Sequence, residues 1–290
     1  MPILEVKHLY KSYPTFELKD VNFSLEPGYI MGFIGKNGAG KTTTIKSIYN
    51  LVKKDSGEIY LLGKKVEDYS EIELKQSVAL MLGGMNIYSN SKIEVIGEVV
   101  SKFYKNFNKG IYESLLKKFN LDKSKKFKEL SNGMKTKFLL TLSMSFDAKL
   151  LILDEPTSGL DPFSRDEILE VFQKYIEDGK HSILFSTQII SDLEQIADYI
   201  TYIKDGKIVL SDEKEKFCDF YRLINCSKED GEKIPVSMLL GKRESDFSFQ
   251  ALIKKEDEHK LPYGVEVILP TIEQIMIMIE RGIKNESINY

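Results

Sequence analysis

The chain has 290 residues, 42% hydrophobic and 29% charged, enough for one large core and a smaller appendage but in no part apolar enough to read as a membrane span. Its net charge of −3 gives no global electrostatic case for nucleic acid. Two cysteines, Cys218 and Cys226, lack metal-ligand spacing and read as reduced thiols of a cytosolic protein, and the scattered His8, His181 and His259 make no metal cluster.

Residues 3–9 alternate as an edge strand would, starting without a signal peptide. Tyr13 follows, a packing residue or an aromatic platform for a purine base. Residues 21–25 alternate again, and Pro27-Gly28 turns the chain into a buried strand over 29–34. Next comes Gly35-Lys36-Asn37-Gly38-Ala39-Gly40-Lys41-Thr42, which fits G-x-x-x-x-G-K-[ST]. Its glycines free backbone N–H groups to converge on phosphate oxygens. Lys41 can reach the β and γ phosphates, the Thr42 hydroxyl can ligate Mg²⁺, and the helix opening at Thr43 turns its positive dipole end to the anion. A nucleoside triphosphate is the expected ligand.

Turns at Asp55-Ser56-Gly57 and Gly63-Lys64 bracket a short strand over 58–62, and from Glu71 to about Phe146 the texture is that of a helical insertion in an α/β core. The basic run Lys117, Lys118, Lys123, Lys125, Lys126 and Lys128 reads as a solvated face. Within the insertion, Leu130-Ser131-Asn132-Gly133-Met134 opens a helix: Ser131 suits an N-cap, and Gly133 bares N–H groups for a second anion contact. Then Leu150-Leu151-Ile152-Leu153-Asp154-Glu155 is an apolar strand ending in two acids, where the carboxyl end of a sheet strand opens on a ligand. Asp154 can hold Mg²⁺ through water, and Glu155 can polarise the attacking water. A turn over 156–162, a helix over 164–177, a strand over 181–188, a helix opened by Ser191-Asp192 and a hairpin turning on Asp205-Gly206 complete the core. After Asp212 the texture is charged and weakly periodic, with an apolar stripe at Ile272, Ile275, Met276 and Ile279.

In this order the motifs resemble the ATP-binding subunit of a bacterial ABC transporter over residues 3–210. Residues 35–42 match its Walker A loop, Tyr13 its adenine-stacking aromatic, 130–134 its LSGGQ signature, 150–155 its Walker B strand with the catalytic glutamate, and 158–161 its D-loop. The texture of 103–130 and the 270–275 segment are similar to the ABC-2-like exporter branch, including the staphylococcal phenol-soluble modulin exporter. The resemblance implies a P-loop NTPase (RecA-like) α/β core with an antiparallel β subdomain, a helical subdomain over 71–146 and a small C-terminal α/β appendage over 212–290, regulatory or partner-contacting. It implies ATP and Mg²⁺, the latter on Thr42 and Asp154. Nucleotide contacts would come from Tyr13, Gly35, Asn37, Gly38, Ala39, Gly40, Lys41, Thr42, Thr43, Ser131 and Gly133, and catalysis from Glu155 and Gln188. Partners would be an integral-membrane permease and a second ABC ATPase, identical or not, at the cytoplasmic face of the membrane, with no nucleic acid.

Three places depart from the family. Gln188 stands where the switch histidine follows Ser-Thr, and an amide carries neither a titrating proton nor a positive charge. Gly83 stands where the family has its Q-loop glutamine. Asn132 and Met134 replace Gly and Gln in the signature. Because Glu155 is present, the expectation is tight ATP binding with slow hydrolysis. The alternatives are a non-catalytic ATP-binding subunit paired with another ATPase, and a soluble ABC ATPase acting on nucleic acid or ribosomes.

Overall fold

The computed structural model describes residues 1–82 and 89–282. It divides into two compact units, 1–211 and 212–290. Gly83 lies outside the described residues.

The first unit holds β1 (Leu4–Tyr13), β2 (Phe16–Leu25), β3 (Ile30–Ile34), α1 (Lys41–Ile48), β4 (Ser56–Leu61), β5 (Lys64–Lys65), α2 (Glu71–Ser77), β6 (Val78–Met81), α3 (Ile93–Phe103), α4 (Lys109–Lys118), α5 (Asn132–Met144), β7 (Leu150–Asp154), α6 (Pro162–Ile176), β8 (Ser182–Thr187), α7 (Ile190–Ile196), β9 (Tyr199–Lys204) and β10 (Lys207–Glu213). An antiparallel sheet runs β2-β1-β4-β5, and a six-stranded sheet runs β10-β9-β3-β8-β7-β6, parallel from β9 to β6. Every residue of β3, β7 and β8 is buried, as expected of parallel strands covered on both faces. Leu4, Val6, Leu9 and Leu18 share one core with Met31, Phe33, Ile45, Ile48, Ile152 and Leu184, so the two sheets and α1 close on the same apolar volume.

Two expectations change and one holds. The first strand is interior, paired with both β2 and β4, because alternation reports one buried face and says nothing about edges. The helical stretch over 71–146 is broken by β6, which pairs with β7 in the parallel sheet. The hairpin turns at Asp205 (φ 47°) and Gly206 (φ 76°) as anticipated, with both central residues left-handed as a type I′ turn requires.

The second unit holds α8 (Lys214–Asp219), β11 (Tyr221–Cys226), α9 (Lys228–Gly231), β12 (Gly241–Glu244), β13 (Phe249–Lys254), β14 (Glu266–Ile268) and α10 (Ile272–Arg281). Its sheet, β12-β13-β11-β14, is wholly antiparallel. Ile224, Met238, Leu239, Phe249, Ala251 and Ile253 form its own core. Ile272, Ile275, Met276 and Met278 are the buried positions of α10, whose Thr271 and Gln274 make a reciprocal capping box. The appendage is thus an antiparallel sheet with helices, where an α/β unit was expected.

Candidate nucleotide site

Parallel register assembles the site. Ile34 of β3 lies level with Thr187 of β8, and Asp154 of β7 level with Ser186, so three strand ends deliver the phosphate loop, the two acids and Gln188 to one edge of the sheet. Gly38 (φ 82°) and Gly40 (φ 115°) adopt the left-handed backbone that lets the loop turn. At Gly40 any Cβ would also stand 2.7 Å from Leu18 Cδ2. Ala39 is buried, and its carbonyl accepts from Gly206 N at 3.0 Å, tying the loop to the β9–β10 hairpin. Gly40 caps α1 without any side-chain hydrogen bond, so the first amides of an eight-residue helix are not met by a cap. The helix starts at Lys41, two residues ahead of the expected Thr43.

Lys41 is buried, and its Nζ donates to Gly35 O at 2.7 Å and to Lys36 O at 3.2 Å. Burial pushes its pKa down, against the pull of Glu155, whose Oε1 lies 3.6 Å away. Thr42 Oγ1 donates to Asp154 Oδ2 at 2.8 Å. Glu155 holds φ 51°, a strained value for a residue with a side chain, and its N–H is bonded to Ser186 Oγ at 3.0 Å and Ser186 O at 3.1 Å. Gln188 Nε2 donates to Asn37 Oδ1 at 2.8 Å and to Glu155 Oε1 at 2.9 Å. Asn37, Gln188, Glu155 and Lys41 thus form one linked set and Thr42 with Asp154 another, and Ser186 Oγ, bonded to both Asp154 and Glu155 N, joins them into one network.

Tyr13 is exposed at the β1–β2 turn, its ring beneath the Lys11 ammonium at 5.5 Å. Thr43 lies within α1, where its carbonyl accepts from Ser47 Oγ. Ser131 and Gly133 sit in a different cluster. Ser131 caps α5 by accepting from Met134 N at 3.2 Å, and a Cβ on Gly133 would stand 3.4 Å from Leu160 Cδ2. The buried Lys137 fixes α5 to α6 by donating to Ser164 Oγ at 3.2 Å and pairing with Glu167.

The family model for ABC transporter matches residues 18–158. The lantibiotic transport ATP-binding protein SrtF of Streptococcus pyogenes is 34% identical over 231 residues, 77% of this chain and 96% of that protein. This chain is an ABC transporter ATP-binding subunit. The bacitracin transport ATP-binding protein BcrA of Enterococcus faecalis is 30% identical over 210 residues, covering 71% of this chain and 68% of its own. A solved ATP-binding subunit of an ABC transporter superposes with a TM-score of 0.67 at 29% identity, over 74% of this chain and 91% of that one. As a member of this family the ABC subunit is an ATPase.

Sequence reasoning missed several residues of the ABC subunit that surround the site. Ser186 donates to Asp154 Oδ1 at 2.6 Å. Thr157 donates to the fully buried Asp192 at 2.6 Å, with Arg165 Nε 3.8 Å from the other carboxylate oxygen. The only local signal was polarity in an apolar setting: a serine in a strand of Ile, Leu and Phe, and an acid followed by Leu on a short helix.

Proposed function

We propose that the subunit hydrolyses ATP to power a separate membrane permease that exports peptides or other amphipathic, toxic compounds. The lantibiotic and bacitracin transport relatives support the direction and the class of cargo. They lend nothing to the narrower expectation of a phenol-soluble modulin exporter. The observation that carries the reading is the network from Asn37 to Gln188, in which phosphate binding, metal binding and water activation fall to adjacent side chains.

In this reading backbone amides of the loop and of the first turn of α1 hold the β and γ phosphates, and Lys41 exchanges its neutral carbonyl acceptors for phosphate oxygens. Tyr13 stacks on the adenine. Thr42 and Asp154 suit Mg²⁺, since both offer hard oxygen donors and among the described residues no richer His, Cys, Asp or Glu cluster competes. The ion, when bound, neutralises charge on the phosphate oxygens. Glu155 orients and polarises the attacking water, and Gln188 steadies Glu155. Ser131 and Gly133 meet the γ-phosphate held by a second ABC ATPase, so that closure of two chains on ATP, and reopening after hydrolysis, moves the permease.

A docking face for that permease is available. Val95, Val99 and Phe103, spaced four apart on α3, are exposed, and so is Ile72 on α2. Among the described residues no helix is long and apolar enough to cross a membrane; in this reading the subunit attaches peripherally to the cytoplasmic face through the permease. Residues 212–290 take a regulatory or partner-contacting role.

Gln188 favours a second reading, a subunit that binds ATP firmly but turns it over only beside another ATPase. Steady-state phosphate release by the purified subunit and by Glu155→Gln tests both. The main reading expects turnover in the wild type, its loss in the variant and an ATP-dependent dimer of the variant. Unchanged turnover in Glu155→Gln overturns the role given to Glu155, and a wild type that binds ATP without turnover selects the second reading.

A further inference from the structure

We infer that Ser186 is a positioning residue that sets the geometry of both acids at once, an inference that rests on the ATPase reading above. Ser186 is fully buried in β8, after Ile183, Leu184 and Phe185. A hydroxyl withdrawn from water needs hydrogen-bond partners. Buried hydroxyls on the helices of this unit spend theirs locally: Thr44 on Gly40 O, Thr141 on Lys137 O and Ser145 on Thr141 O, each four residues back. Ser186 instead reaches across to the neighbouring strand, where among the described residues its hydroxyl bonds the acid pair: it donates to Asp154 Oδ1 at 2.6 Å and accepts from Glu155 N at 3.0 Å.

Two consequences follow from that placement. With Oδ1 engaged by Ser186, the Asp154 carboxylate is held with Oδ2 toward Thr42 Oγ1, 2.8 Å away, which is the pair suited to the metal. Ser186 Oγ also shares the Glu155 N–H with Ser186 O, and this double anchor holds Glu155 at φ 51°, the backbone turn that aims its carboxylate at Gln188 and Lys41. One hydroxyl thus fixes the rotamer of one acid and the backbone of the next. Neighbours of this kind behind a metal ligand commonly alter metal affinity or activity by about 10–100-fold when removed.

The test measures nucleotide binding and turnover in Ser186→Ala, Ser186→Thr and Ser186→Cys. Fluorescent ATP is titrated once in EDTA and once against rising Mg²⁺. The expected result for Ser186→Ala is a half-saturating Mg²⁺ concentration raised about tenfold or more and a lowered kcat, with ATP affinity in EDTA unchanged because the loop and α1 set it. Ser186→Thr keeps the hydroxyl and restores both. Ser186→Cys keeps the volume but donates weakly, and behaves like the alanine variant. Wild-type Mg²⁺ dependence and turnover in Ser186→Ala overturn the inference, as does full recovery with cysteine, which would assign Ser186 to packing alone. Should the threonine variant misfold, the alanine and cysteine titrations still decide. Failure of the wild type to bind ATP would refute the ATPase reading instead.

Discussion

Replacing Gln188 with histidine should quicken ATP hydrolysis and make its rate depend on pH. Gln188 commits its amide nitrogen within its own chain, to Asn37 Oδ1 at 2.8 Å and Glu155 Oε1 at 2.9 Å. To donate to a γ-phosphate it must surrender one of these bonds, at a cost of about 1–1.5 kcal/mol. That cost corresponds to about a tenfold slower step. Complete loss of a donor at a transferring group costs about 10²–10³ in rate, so the glutamine leaves the site slow but far from inert. An imidazole with an ordinary pKa near about 6.5 can carry a positive charge, which the adjacent Glu155 carboxylate favours. The Gln188→His variant should therefore run about tenfold faster than the wild type near about pH 6 and slow as pH rises past the imidazole's pKa. Wild type should show no such step from this position. Steady-state phosphate release at saturating Mg-ATP, with Glu155→Gln as the blank, measures both profiles. A histidine variant no faster than wild type, with the same pH profile, would show that position 188 does not meet the phosphate.

Two further changes probe the frame around the site. Lys137→Met should lower stability by about 1–2 kcal/mol in urea unfolding, since it removes a buried tie from α5 to Ser164 and Glu167, the latter partly solvated; Lys137→Arg should recover most of it. His181 bonds Asp147 Oδ1 through Nε2 and Asp178 Oδ2 through Nδ1, both at 2.8 Å. Burial pushes both carboxyls up, but hydrogen bonds from Lys149 and His181 to Asp147, and from Lys180 N–H and His181 to Asp178, outweigh it and hold them below the usual carboxylate range. Depressed carboxyls contribute stability that is complete above the unfolded value of about 3.9 and lost as pH falls through the native values. His181→Ala should therefore move acid unfolding, followed by circular dichroism, to higher pH, and an unmoved acid limb would refute the clamp.

What was legible in the sequence was what local chemistry encodes. The phosphate loop announces itself because Gly38 and Gly40 need left-handed backbone and Gly40 has no room for a Cβ, a demand few residues can meet. The acids at the end of β7 stand out because four buried aliphatics precede them. β6 did not stand out: Val78-Ala79-Leu80-Met81 follows α2 without a breaker, and four apolar residues fit a strand or a buried helix equally well. Ser186 carries no local mark beyond its polarity among Ile, Leu and Phe, because its partners lie a strand away and only the parallel register of β7 and β8 brings them level. The link from Lys137 to α6 is likewise a product of packing, since a lysine three residues after Met134 reads as solvent-facing until α6 covers it.

Asp192 offers the sharpest test of how the loop after Gln188 is held to the segment after Glu155. It is fully buried on α7, Thr157 Oγ1 donates to its Oδ2 at 2.6 Å, and Arg165 Nε stands 3.8 Å from its Oδ1. Among the described residues, neither Arg165 Nε nor Asp192 Oδ1 has a hydrogen-bond partner. Burial pushes the carboxyl pKa up, against the Thr157 bond and the Arg165 charge. The sign is opposite to that of Asp147: the native state binds this proton more tightly than the unfolded chain does. Its contribution to stability is greatest below about pH 3.9, declines as pH rises from there to the native pKa, and stays low beyond it. Asp192→Asn retains an acceptor for Thr157 and removes the buried charge, while Arg165, partly exposed, can turn to water. The asparagine variant should match or exceed wild-type stability at neutral pH and lose this decline. Asp192→Ala strands the Thr157 hydroxyl and should cost about 1–3 kcal/mol. Urea unfolding of all three proteins across the acid range measures both effects. An asparagine variant about 3–5 kcal/mol less stable at neutral pH would mean that Arg165 and Asp192 act as a full ion pair whose loss leaves a charge uncompensated, and the weak-pair geometry argued from 3.8 Å would be wrong.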